Sequence, residues 1–66
     1  MISVGNKNLP EEIILGIVPC EGGNFIVSYD YDGEERFETT FNPFDREDVR
    51  KLLRRRPELK KESQNV

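Results

Sequence analysis

Between Asn24 and Phe41 the chain alternates hydrophobic and polar residues with a period of two, NFIVSYDYDGEERFETTF. Successive side chains on a strand point to opposite faces. The incoming half therefore sets Phe25, Val27, Tyr29 and Tyr31 on one face, and the outgoing half sets Glu35, Phe37, Thr39 and Phe41 on one face. The pattern predicts a β-hairpin. A two-residue Asp32-Gly33 turn pairs Tyr31 with Glu34 and Val27 with Glu38, and puts the two apolar sets on opposite faces. A three-residue loop, Tyr31-Asp32-Gly33, pairs Val27 with Phe37 and Phe25 with Thr39, and puts both sets on one face. A slip of one residue turns every side chain over, so burial favours the three-residue loop, with Gly33 at positive φ, where glycine costs least. In that register Phe37 and Phe41 are core, and Ile26, Ser28, Arg36, Glu38 and Thr40 form the solvent or partner face.

Met1-Ile2-Ser3-Val4 alternates as a short strand, and Gly5-Asn6-Lys7-Asn8 is a polar turn. Residues 9–18 carry two signals. Pro10 followed by two glutamates resembles a helix start, whereas Ile13-Ile14-Leu15-Gly16-Ile17-Val18 is short, β-branched and closed by Pro19, which favours a strand. Its lack of alternation predicts cover on both faces, by the helix on one side and a partner or barrel wall on the other. Cys20-Glu21-Gly22-Gly23 is a turn short enough to make this strand an antiparallel neighbour of Asn24–Asp30. The period then changes. Asp45 suits an N-cap, with Phe44 and Val49 at staple spacing; Asn42 followed by Pro43 is the competing start. The helix is expected from about Arg46 to Arg55, with Val49, Leu52 and Leu53 as its buried stripe. Pro57 closes it. The expected fold is a small α+β domain: a three- to four-stranded antiparallel meander, a curved sheet or half-barrel, followed by one C-terminal helix. It spans residues 1–57, with 58–66 a flexible polar tail. The order of elements is similar to that of chromodomain-type modules, an analogy of fold alone; the tryptophan usual in those modules is missing.

Length and composition narrow the functional classes. Sixty-six residues make one domain, and a chain of this size buries only ~60% of its unfolded surface. Hydrophobic and charged residues are 35% each, so four Phe and two Tyr carry much of the burial. Such a thin core suits a chain that associates. The single cysteine, Cys20, forbids an internal disulfide and fits a reducing cytosol. No apolar run approaches the ~18 residues of a membrane helix, and no signal-peptide pattern opens the chain. A complete cytoplasmic protein is expected. The net charge of −3 is unevenly placed. Residues 1–45 hold nine acids against Lys7 and Arg36, for a net −7, and residues 46–66 hold eight bases against four acids, for a net +4.

Candidate chemistry is sparse. Without histidine no Ser-His or Cys-His nucleophile pair can be built, and one cysteine leaves no zinc set. Asp30, Asp32, Glu34 and Glu35 surround Gly33 but depart from the EF-hand spacing, so they read as an acidic, soluble hairpin tip. No catalytic residue, cofactor or metal is expected. The run Arg50-Lys51-Leu52-Leu53-Arg54-Arg55-Arg56 presents a basic helix face. Such a face meets phosphates, an acidic protein surface, or only solvent, since cations are favoured at a helix C-terminus in any case. Tyr31, in the loop, is the aromatic expected to be exposed. Arg50, Lys51, Arg54, Arg55, Arg56 and Tyr31 are therefore the candidate partner-binding residues. The expected function is a non-catalytic protein-interaction or regulatory module that can self-associate through an open sheet edge. The alternative is nucleic-acid binding by the basic helix, which the sequence pI of about 4.9 disfavours.

Overall fold

The computed structural model describes residues 1–61. Strands β1 (Ile2–Val4) and β2 (Lys7–Leu9) form a small antiparallel hairpin around a Gly5-Asn6 turn. Strands β3 (Ile14–Pro19), β4 (Phe25–Tyr31) and β5 (Glu34–Thr39) form an antiparallel meander with β4 in the middle. Helix α1 (Pro43–Arg55) follows, and single 3-10 turns stand at Glu11–Ile13, Glu21–Gly23 and Pro57–Leu59. The small α+β architecture, a meander with one helix after it, is the expected one. The β1–β2 hairpin is additional, because the polar stretch at Gly5–Asn8 reads as turn throughout and only its first two residues are turn.

The central hairpin adopts the register that burial was expected to reject. Tyr31 pairs with Glu34, Tyr29 with Arg36, Ser28 with Phe37 and Val27 with Glu38. The turn is the two-residue Asp32-Gly33, with φ of 56° and 82°. Positive φ at both positions is what a type I′ turn requires, and its twist matches that of the flanking strands. The local turn chemistry thus outweighs the burial of Phe37. β4 keeps its expected inner face, with Phe25, Val27 and Tyr29 buried, but β5 turns Phe37 outward. Arg36, Glu38 and Thr40 consequently lie on the core side of the sheet, and Phe37 shares the open side with Ser28 and Ile26. Thr40 is fully buried: its Oγ1 accepts from the Phe25 amide at 2.8 Å and its own amide donates to the Phe25 carbonyl at 3.0 Å.

In β3 the unbroken apolar run is explained by a bulge. Ile14 pairs with Tyr29 and Gly16 with Ser28, so Leu15 is the extra residue and is exposed. The bulge lets Ile14 and Ile17 both face the core. Gly16 is buried on the open side by Lys61, whose stem lies where a Cβ would stand, with Cγ and Cε 2.9 Å from that position.

The helix starts at the competing N-cap. The Asn42 side chain accepts from the Asp45 amide at 3.0 Å and Pro43 occupies the first turn. Val49 and Leu52 pack into one core with Ile2, Val4, Leu9, Ile14, Ile17, Phe25, Val27, Tyr29 and Leu59, and Leu53 packs at its margin. The stretch expected as a tail from residue 58 is in part seated. Leu59 is buried, Lys60 forms a parallel bridge with Ile17, and the Lys61 amide donates to the Ile17 carbonyl at 2.8 Å. An apolar residue that plugs the end of the core holds this segment against the outer edge of β3, whereas residues 62–66 lie outside the described part.

Candidate interaction surface

Asp45 joins the helix start to the strands, and its carboxylate is buried. Oδ2 accepts from the amides of Gly5 (3.0 Å) and Phe41 (3.4 Å) and from Asn42 Nδ2 (3.1 Å), while Oδ1 accepts from Ser3 Oγ (3.3 Å). A residue expected to cap the helix instead ties the β1–β2 turn and the strand-to-helix connection to its first turn. A second tie runs between β2 and the sheet. Lys7 Nζ donates to the Tyr29 hydroxyl at 3.4 Å and pairs with Glu38 at 3.5 Å, and the Tyr29 hydroxyl donates to Glu38 Oε1 at 3.5 Å. The hydrogen bond to Tyr29 first, and then the Glu38 carboxylate, hold the Lys7 ammonium above the ordinary lysine range.

With these ties made, one edge of the meander is held by residues 60–61 and the other, β5, pairs only with β4. The hydrogen bond from the Thr40 amide to the Phe25 carbonyl sets the parity of that pairing. Even-numbered residues of β5 address β4, so the N–H and C=O groups of Glu35, Phe37 and Thr39 point away from the sheet. This edge and the connection after it carry exposed aromatics: Phe37 is 63% exposed, Phe41 72% and Phe44 78%. Phe37 and Phe41 were expected in the core. The signal that places Phe37 correctly is the Asp32-Gly33 dipeptide, read as a two-residue turn.

Tyr31 is exposed at the hairpin tip, as expected, with the Arg36 guanidinium 5.1 Å from its ring centre. Arg36 also pairs with Glu34 at 3.2 Å. The basic run of α1 is largely occupied with its own chain. Lys51 pairs with Glu47 at 3.7 Å, and Arg55 with Glu11. Arg56 pairs with Glu58 at 3.1 Å and donates to the Glu11 carbonyl at 3.3 Å. Glu58 is held below the ordinary glutamate range, by the backbone amide it accepts from and then by Arg56. Arg50 lies 6.0 Å from the Phe25 ring centre, and Arg54 makes no ion pair among the described residues. The Arg36 contact and these pairings do not join Tyr31 to the basic run.

Comparison with protein-family models, curated proteins and solved structures finds no match. The chromodomain analogy therefore gains nothing from them.

Other chemistry finds little footing. A cleft of about 70 Å³ lies between Met1, Ile2, Glu11, Asp48, Lys51 and Arg55. That is room for a few waters, against the roughly 300–1,000 Å³ of ordinary ligand pockets. Among the described residues no three Asp, Glu, Cys or His side chains converge as a metal site. No helix among them is long and apolar enough to cross a membrane.

Proposed function

We propose that the protein is a non-catalytic protein-interaction or small regulatory module, with self-association included, that binds through the free edge of β5. The observation that supports this most is Phe37. It is a large apolar side chain, 63% exposed, on a strand whose outer backbone groups have no partner among the described residues. Exposed strand edges accept further strands, and an alternating row of side chains along the edge supplies selectivity. Nucleic-acid binding by Arg50, Lys51, Arg54, Arg55 and Arg56 draws less support, since Lys51, Arg55 and Arg56 are paired with glutamates. A cytosolic setting fits the lone unpaired thiol of Cys20.

The test combines light scattering with affinity capture, using the natural chain and Phe37→Asp. The natural chain is expected to show a raised solution mass or to retain a defined protein, and Phe37→Asp to lose whichever is seen. A strict monomer that captures nothing Phe37→Asp loses would refute the reading.

A further inference from the structure

We infer that the occupant of the β5 edge is β5 of a second copy, paired antiparallel about a two-fold axis at Phe37. This rests on the interaction reading above and names its partner. Three observations carry it: the parity of the edge, the order of charges along it, and the outward Phe37.

A strand joining this edge must bond to Glu35, Phe37 and Thr39, the residues whose backbone groups point outward. When both strands are β5, hydrogen-bonded pairs therefore match odd with odd. Residues directly opposite share a face, so the open sides of the two sheets fall on the same side of a continuous six-stranded sheet. Symmetric registers about positions 35, 36, 37 and 38 each pair a run of β5 residues, and the one about position 38 sets Glu38 opposite Glu38 of the second copy. A two-fold at position 35 sets Glu35 opposite Glu35 of the second copy and leaves Phe37 beyond the strand end. A two-fold at position 36 sets Arg36 against Arg36 and Glu34 against Glu38, four acids and two bases all facing their like. A two-fold at position 37 sets Phe37 against Phe37, Arg36 against Glu38 twice, and Glu35 against Thr39. Like charges opposite each other destabilise a pair of strands, and opposite charges or aromatic pairs stabilise it. The register about position 37 alone carries no like-charge pair, and its overlap along β5 equals that of the register about position 36.

The surroundings bear on the same register. Gly5 approaches the Thr39 carbonyl, with an added Cβ 3.4 Å from it, so the β1–β2 turn borders the Glu35–Thr39 pairs at the two ends of this register. The central pair at Phe37 is clear of that turn. Arg36 and Glu38 both lie on the core side of β5; the Arg36 side chain is half exposed (49%), while Glu38 is 22% exposed and already meets Lys7 and Tyr29.

The test reads mass and register separately. Light scattering of the natural chain up to about 1 mM is expected to approach twice 7.7 kDa, and Phe37→Asp to remain at 7.7 kDa. For register, single cysteines are placed in a Cys20→Ser background and incubated with oxidised glutathione. Hydrogen-bonded antiparallel pairs stand ~5.5 Å apart at Cα, within the ~4.4–6.8 Å that a disulfide spans. Phe37→Cys is therefore expected to give a covalent dimer. Glu35→Cys is not, because its two copies lie four residues apart along the strands, roughly 14 Å. A natural chain that stays at 7.7 kDa, with no cross-link through position 37, overturns the inference. Equal cross-linking through positions 35 and 37 overturns it as well. Capture of a different protein by a monomeric chain, lost in Phe37→Asp, also overturns it while leaving the interaction reading intact.

Discussion

Replacing Asp45 separates a structural hub from an ordinary helix cap. Its carboxylate is 2% exposed and receives four hydrogen bonds, three of them on Oδ2 from Gly5 N, Phe41 N and Asn42 Nδ2. Asp45→Ala leaves the part-buried amides of Gly5 and Phe41 without their acceptor, and an unpaired donor costs about 1–3 kcal/mol where water is kept from it. It also removes a negative charge from the first turn of α1, worth about 0.3–1 kcal/mol. Because the donors can partly relax together, the expected loss is about 3–5 kcal/mol. A chain of 66 residues has roughly 3–10 kcal/mol of stability in all. Asp45→Ala is thus expected to leave the chain close to its unfolding transition in buffer.

Asp45→Asn discriminates the cause. The amide oxygen can take the place of Oδ2 and keep all three donors, while its NH₂ faces Ser3 Oγ, which can rotate to accept. Only the charge is lost, so the expected cost is about 1–1.5 kcal/mol. Urea unfolding followed by far-ultraviolet circular dichroism measures both. With a slope near ~1 kcal/mol/M for a small domain, Asp45→Ala should lower the midpoint by about 3 M or more and Asp45→Asn by about 1 M. The reasoning fails if Asp45→Ala costs under about 1 kcal/mol, or if Asp45→Asn costs as much as Asp45→Ala.

Three further substitutions address the hairpin and the chain end. Phe37→Ala is expected to change monomer stability by no more than about 0.5 kcal/mol, as for other exposed positions; the three-residue register would bury Phe37 and predict a loss of about 3–5 kcal/mol. Asp32→Val puts a β-branched residue at φ 56° and should cost about 1–2 kcal/mol, whereas Asp32→Asn should be neutral or mildly stabilising; thermal melts of the pair decide whether the turn is of the two-residue kind. Leu59→Ala should cost about 2–4 kcal/mol and speed hydrogen exchange at the Lys61 amide, because Leu59 is buried and that amide is bonded to Ile17; wild-type stability and exchange would mean that residues 57–61 contribute nothing to the core.

Most elements of the fold are written in local pattern. The order from β3 to α1, the meander with β4 at its centre, the inner stripe of Phe25, Val27 and Tyr29, and the helix end near Arg55 all follow from periodicity and breakers. The register of β5 does not, because two local rules disagree there. Alternation asks for Phe37 and Phe41 inside, and Asp32-Gly33 asks for the turn that puts Phe37 outside. The turn prevails because the inner face of β5 is filled by Thr40 and Glu38, which are satisfied by Phe25, Tyr29 and Lys7, while Arg36 on the same face stays half exposed and pairs with Glu34. Asp45 was legible as a helix-start residue, but its bonds to Ser3 and Gly5 join residues 42 and 40 positions apart in the chain, beyond any local signal. The basic run was legible as well; its pairing with Glu11 depends on where the Glu11–Ile13 turn lands.

The charges of β5 carry opposing demands. An exposed strand edge invites indiscriminate pairing, and charged residues on it discourage that. Glu34, Glu35, Arg36 and Glu38 meet this need, yet they flank Phe37, a large apolar side chain left 63% exposed. A strand meant only to be inert would carry a polar residue at position 37. A strand meant to capture any extended peptide would gain from fewer charges beside it. The sequence EERFET satisfies neither. It sets like charges opposite each other in the symmetric registers about positions 35, 36 and 38 and opposes Arg36 to Glu38 in the register about position 37. Under the proposed pairing about Phe37, one arrangement of charges would both restrict the edge and cover Phe37. On the basic run, Lys51, Arg55 and Arg56 are paired with Glu47, Glu11 and Glu58, whereas Arg50 and Arg54 make no ion pair among the described residues, so the proposal rests on the charge order of β5 rather than on the helix.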